Sequence, residues 1–210
     1  VDTGASLTLS GFTLQNGTTI SVIQSGGSIY NVGTLTVNDV TFLNNGNKPN
    51  DGGAIVNYGL ANINTSTFSG NTAPFGGAID NTGTGTVNIN GGSFSGNSAV
   101  SYGGAIHNDG TVNISGGTSF TSNQAGYGGA IFNYTGTTTI NSASFMNNIA
   151  TSSTTSSAIN NENGSTVTSQ NSTYTNNTCT DGAITDNGGN TRDAASVGCP
   201  GTVTVVPVVP

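Results

Sequence analysis

Positive charge is almost missing from this chain. Its 210 residues hold 2 Lys+Arg against 9 Asp+Glu, a formal net charge of −7. Lys48 and Arg192 alone cannot neutralise a phosphate backbone, which excludes nucleic acid as a partner. The same shortage excludes docking on an anionic membrane surface. No stretch approaches the run of about 18 apolar residues that a transmembrane helix needs, so no membrane insertion by this segment is expected. Helix-forming composition is absent too: charged residues make up 5%, Gly numbers 33, and no window carries Leu, Ala, Glu, Lys or Arg on a 3.6-residue period. Helical repeats are thereby excluded. One His, no Cys pair at zinc spacing and no Gly-Gly-x-Gly-x-Asp nonapeptide leave no dedicated metal site, and no cofactor is expected.

What the chain does have is a period. Gly-Gly-Ala-Ile-x-Asn recurs at Gly52 to Asn57, Gly76 to Asn81, Gly103 to Asn108 and Gly128 to Asn133, with a variant at Gly26 to Asn31. Its isoleucine column reads Ile29, Ile55, Ile79, Ile106, Ile131, Ile159 and Ile184, spaced 24 to 28 apart. A second marker, aromatic-x-x-Asn, runs in phase: Phe42/Asn45, Phe68/Asn71, Phe94/Asn97, Phe120/Asn123, Phe145/Asn148 and Tyr174/Asn177, with Phe12 beginning the column. A fixed period of this length means a solenoid, in which each repeat buries its apolar face only against its neighbours.

The solenoid is built of strands. Thr34 to Val37, Thr86 to Ile89, Thr111 to Ile114 and Thr137 to Ile140 alternate, so that residues such as Val87 and Ile89 share one face. The Phe and Gly-Gly-Ala-Ile segments add a second and a third strand. The expected fold is all-β: a right-handed parallel β-helix of about 25 residues and three short strands per coil, in seven to eight coils. Ile and Phe at constant phase stack on their copies at roughly 4.8 Å. The glycine pair permits positive φ or close backbone approach at a corner. Asn57, Asn81, Asn108 and Asn133, and likewise Asn45, Asn71, Asn97, Asn123 and Asn148, are expected to sit in left-handed turns and to bond the same Asn one coil on. Such ladders satisfy polar groups that would cost about 1–3 kcal/mol each if buried alone.

Gly-Gly-Ala-Ile coupled to Phe-x-x-Asn resembles the repeat pair of the polymorphic outer-membrane proteins, a family of bacterial surface autotransporters. More broadly it is similar to right-handed β-helix repeat proteins of bacterial surfaces. The resemblance spans about residues 5 to 187. It implies an extracellular or cell-surface location on a bacterium. That family carries a membrane β-barrel after its passenger, and no part of this chain could form one. Val1 to Leu9 already reads as mid-coil, so the chain is expected to be a processed product or a piece of something longer.

Catalytic candidates are weak. Carbohydrate enzymes on parallel β-helices cluster carboxylates on one face, whereas Asp2, Asp39, Asp51, Asp80, Asp109, Glu162, Asp181, Asp186 and Asp193 are scattered. A carboxylate pair must flank its substrate at about 5–10 Å, and Asp80 and Asp109 come nearest, on adjacent coils but at different phases. Asp80 shares its phase with His107, which allows a contact that reads as a surface hydrogen bond. No serine is placed beside the pair, so no catalytic residues and no enzyme are expected. Asp51 and the Asp181/Asp186 pair read as isolated acids facing water rather than as a Ca²⁺ site.

The column before the glycine pair holds Ser25, Asp51, Phe75, Tyr102 and Tyr127, with Tyr30, Tyr58, Phe132 and Tyr134 nearby. Phe75, Tyr102 and Tyr127 either form a ligand or subunit contact, stacking sugar rings or a second copy, or lie over the loop and shield the corner glycines. Cys179 and Cys199 read as a disulfide closing a C-terminal cap over 179–200, after repeats over 1–178. Gly201 to Pro210 reads as a linker or an inter-subunit strand. The function expected is a non-enzymatic structural or adhesive surface protein, a homo-oligomer or filament that meets a host surface or glycan. A carbohydrate-binding or carbohydrate-active solenoid is the alternative. An ice-binding solenoid comes third, since rows such as Thr34-Leu35-Thr36 are interrupted by Gly59-Leu60-Ala61.

Overall fold

The computed structural model describes residues 1–19, 26–47, 51–152, 158–162, 164–180, 184–192, 196 and 198–203. Ser25, Lys48, Asp181, Asp193 and residues 204–210 lie outside them. Every strand pairing is parallel, and the described residues contain no helix. The chain winds through four sheets in turn, not three. The first runs from Ser6–Ser10 through Thr34–Asn38 and Thr86–Asn90 to Ile184–Asp186. The second carries the Phe column, from Thr13–Gln15 to Thr202–Val203, and the fourth carries the Ile column, from Ile29–Asn31 to Cys179–Thr180. The third includes Thr72–Phe75 and Ser98–Tyr102. Its strands are short and face the core through single small residues, Ala73, Ala99, Ala125 and Ala150. A lone Ala among Ser, Thr and Pro carries no periodic signal, so the sequence reads there as turn. Among the described residues six coils carry all four strands; a seventh lacks the third-sheet strand, and only first- and second-sheet strands follow it, fewer complete coils than the seven to eight expected.

The interior is a set of columns. Phe42, Phe68, Phe94, Phe120 and Phe145 stack at 4.6–4.9 Å between ring centroids, with ring planes within 10° of parallel. Strand spacing imposes this face-to-face arrangement, and full burial of each ring contributes about 2–3 kcal/mol. Tyr174 ends the column at 5.2 Å from Phe145. Its hydroxyl is accommodated because Ser169 stands where the coil before has Ile140, and the two oxygens lie 2.7 Å apart.

Two members assigned from sequence belong elsewhere. Leu14, not Phe12, pairs with Phe42. The first-sheet register sets Ser10 opposite Asn38, which leaves Phe12 at the corner occupied by Val40, with 41% of its surface exposed. Ile184 is likewise not in the Ile column. Cys179 pairs with Ile159 there, and Ile184 pairs with Val167 in the first sheet, 17 positions on. The last coil is contracted, so a 25-residue spacing lands on the wrong sheet.

Asparagines form two interior ladders. In one, Asn45, Asn71, Asn97, Asn123 and Asn148 each accept, at Oδ1, from the residue one coil earlier, or Gly17 in the case of Asn45. Each Nδ2 donates to the next Asn, ending at Asn177. The other runs Asn31, Asn57, Asn81, Asn108, Asn133, Asn161 at 2.7–2.9 Å. None of these ladder residues is left-handed. In the first ladder that conformation falls one position earlier, on Asn44, Gly70, Gly96, Ser122, Asn147 and Asn176, which turn the chain so that the next amide can point inward; the second ladder lies within strands.

The glycine pair divides its work. The first, such as Gly76 at φ +56°, supplies the left-handed turn. The second needs no unusual φ, but a Cβ on Gly77 would stand 2.1 Å from the Gly104 carbonyl oxygen of the next coil. At the far end Cys179 and Cys199 form a disulfide with Cα atoms 4.7 Å apart, buried against the core. Thr202–Val203 pairs with Thr191–Arg192 of the same chain.

Candidate functional site

Strand alternation turns Ile and Asn of the fourth sheet inward and the residue between them outward. That outward row is Tyr30, Val56, Asp80, His107, Phe132 and Asn160, in register from coil to coil. Yet Val56, Asp80, Phe132 and Asn160 are each 1% exposed. The cover includes the segments that lead into the glycine pairs. Phe75 stacks on Tyr102 at 5.4 Å and Tyr102 on Tyr127 at 5.6 Å, a half-buried ladder running along the axis. Tyr102 also lies 4.4 Å from the Phe132 ring and Phe75 5.6 Å from His107. The aromatic column therefore forms an outer layer over the fourth sheet, partly covering it and partly facing solvent.

Beneath this layer His107 Nδ1 lies 2.7 Å from Asp80 Oδ1. The contact foreseen from phase is made, but it is not a surface bond: the side chains are 11% and 2% exposed. Burial pushes the Asp80 carboxyl up, opposed by the hydrogen bond and charge of His107. Burial alone would lower His107, but the bond and charge of Asp80, followed by the charges of Asp109 and Asp51, raise it. The raised imidazole is the governing direction, because three carboxylates surround it and hold its proton. Asp51 is pushed up to about 6, first by burial and then by the like charge of Asp80, with Asp109 adding and His107 opposing.

Next to the pair opens a cleft of about 250 Å³ lined by Phe75, Tyr102, His107, Asp109, Phe132 and Tyr134. Asp109 and Tyr134 reach it from the corner after the Asn ladder, where the backbone N–H groups of Tyr58, Thr82, Asp109, Tyr134 and Glu162 each donate to an Asn carbonyl one coil earlier. Tyr134 thus has an acid on either side along the axis, Asp109 and Glu162. Sequence phase had separated Asp109 from the Asp80 column. The fold reunites them because the corner brings positions Ile+1 and Ile+3 around one concave face. The burial of the outward row was the feature missed, and its only trace in sequence is apolar Val56 and Phe132 at an outward phase.

Among the described residues no group of three or more His, Cys, Asp or Glu could hold a metal ion. The cleft offers flat aromatic faces, one carboxylate at its lip and an imidazole held by a buried partner. That is an arrangement for binding by stacking and charge.

The sequence profile of the Chlamydia polymorphic membrane protein repeat matches this chain three times, over residues 65–82, 91–109 and 117–134. Each match runs from a second-sheet Phe through the next Gly-Gly-Ala-Ile-x-Asn segment, and the last two supply His107, Asp109, Phe132 and Tyr134 of the cleft. No curated protein and no solved structure matches the chain. Over those three segments the chain is similar to the Chlamydia polymorphic membrane protein repeat, and its fold is a parallel β-solenoid.

Proposed function

We propose that this chain is a non-enzymatic adhesive module of a bacterial surface, a stiff rod that presents side chains to a partner. One observation carries the reading. Inside, residue identity repeats from coil to coil, as in the Phe and Asn columns; at the solvent-facing corner after the fourth sheet it changes at every coil, from Tyr58 to Thr82, Asp109, Tyr134 and Glu162, each half-buried or exposed. A constant scaffold with a variable face suits recognition, and the repeat match supports a place on the bacterial surface.

The test is adhesion. Beads coated with the purified chain are expected to bind epithelial cells saturably, and soluble chain is expected to compete. Binding no greater than that of beads carrying the unfolded chain would remove the adhesive reading. Hydrolysis or elimination on a polysaccharide panel, abolished by Asp80→Asn, would favour the carbohydrate-active alternative instead.

A further inference from the structure

We propose that the cleft on the fourth sheet takes an arginine side chain presented by a basic segment of a partner protein. This rests on the adhesive reading and adds the chemistry of the partner. The shape of the walls is the first argument. Phe75 and Tyr102 are inclined by 20°, Phe132 and Tyr134 by 18°, and Tyr102 and Phe132 by 36°. The two stacked pairs make two slabs tilted to each other, not a box. A planar guanidinium lies flat on a slab, whereas a round trimethylammonium needs rings on several sides.

Charge is the second argument. Asp109 stands at the lip, Asp80 backs His107, and Glu162 follows Tyr134 one coil on, so acids outnumber the single imidazole. Among the described residues Asp109 Oδ1 accepts a single long 3.3 Å bond, from the Thr135 hydroxyl, leaving lone pairs for a forked donor. Sulfated or carboxylated sugars are repelled here. A neutral sugar would gain stacking and hydrogen bonds but nothing from the net charge. Lysine, a point charge, can neither stack flat nor fork.

Size is the third. A cleft of about 250 Å³ suits one side chain rather than a folded domain or a long glycan. The net charge of −7 steers basic segments toward the chain.

The experiment titrates the whole chain at low salt with a short, otherwise uncharged peptide carrying two arginines, read by calorimetry and by NMR shifts. The same peptide with lysines, a neutral oligosaccharide and a sulfated one are run beside it. Expected are arginine-peptide affinity about tenfold above the lysine form, and shifts centred on Tyr102, His107 and Tyr134. Asp109→Asn and Tyr134→Ala should each weaken binding about tenfold with far-UV dichroism unchanged, and Asp39→Asn should leave it unchanged. Absence of saturation by about 10 mM, equal affinity for arginine and lysine, or tighter binding of a sugar overturns the proposal. If a variant fails to fold, the wild-type shift map decides: shifts elsewhere overturn it. Adhesion that survives both variants removes this site and leaves the adhesive reading standing. Arginine binding without any cell adhesion does the reverse.

Discussion

Besides its two interior asparagine ladders the solenoid carries an outer one, and an inner and an outer ladder share the same bond lengths in very different surroundings. Asn71, Asn97 and Asn123 link inside the core at 2.9–3.0 Å, and all are fully buried. Asn62, Asn88 and Asn113 link on the outer face of the first sheet at 2.9 Å, half-buried to exposed. Geometry does not distinguish them; water does. An exposed amide that loses its partner finds solvent, whereas a buried one keeps its full desolvation penalty. The interior ladder is therefore structural and the exterior one ornamental, and the outer faces are free to vary in chemistry.

The largest effect expected comes from the glycine that lets coils approach. Gly77→Ala places a Cβ against the Gly104 carbonyl and should destabilise by on the order of 4–5 kcal/mol in urea unfolding. Gly96→Ala, left-handed but with nothing within 4 Å, should cost only about 1 kcal/mol. Equal effects would mean that coil contact is not what this glycine protects.

Next is the buried ladder. Asn97 accepts from the Asn71 N–H and Nδ2 and donates to the Phe68 carbonyl and Asn123 Oδ1. Asn97→Ala breaks all four and should cost about 3 kcal/mol, since several buried groups lose partners at once. Reducing the disulfide, or Cys179→Ser with Cys199→Ser, should cost about as much, about 3 kcal/mol for a loop of this length. Loss of backbone amide protection should then begin in the shortened last coil.

The buried pair beneath the aromatic layer gives a smaller effect with a definite sign. A folded-state pKa above the unfolded one favours folding while the group is protonated. The Asp51 contribution is complete below 3.8 and lost as pH rises through about 6. That of His107 is complete below 6.5 and lost as pH rises through its raised value. Stability should therefore decline from pH 5 to pH 8. Asp51→Asn should shrink the acid part of the decline, to which the raised Asp80 carboxyl also contributes, and His107→Gln the upper part. Asp186, held low by the Gly188 N–H and then by Asn190, acts in the opposite sense, losing its contribution as pH falls below 3.8. Unfolding midpoints that rise with pH across this window would contradict the arrangement. Smallest of all is Asn88→Ala on the outer ladder, expected within about 0.5 kcal/mol of wild type.

Most of the solenoid was legible because its interior is written in repeated letters: Phe and Ile in phase name two of the four sheets, and Asn beside them names the ladders. The third sheet was not, because a single inward Ala per coil leaves no alternation to read. The last coil misled, because Ile184 kept the spacing while the chain had shortened. The cleft was half legible. Phe75, Tyr102 and Tyr127 stood out as a column, and Asp80 with His107 as a phase match. That the two lie one above the other, with Asp109 and Tyr134 at the rim, depends on how the corner folds over the sheet, and no period encodes that.

The central claim is that like residues stacked inside, out of reach of water, hold the coils in register. Hydrogen exchange of the asparagine side-chain amides tests it most directly, with both ladders read in one NMR experiment. Nδ2 protons of Asn71, Asn97 and Asn123 are predicted to exchange at least about a thousandfold more slowly than those of Asn88 and Asn113, as global rather than local opening requires. Comparable rates in the two ladders would contradict the account.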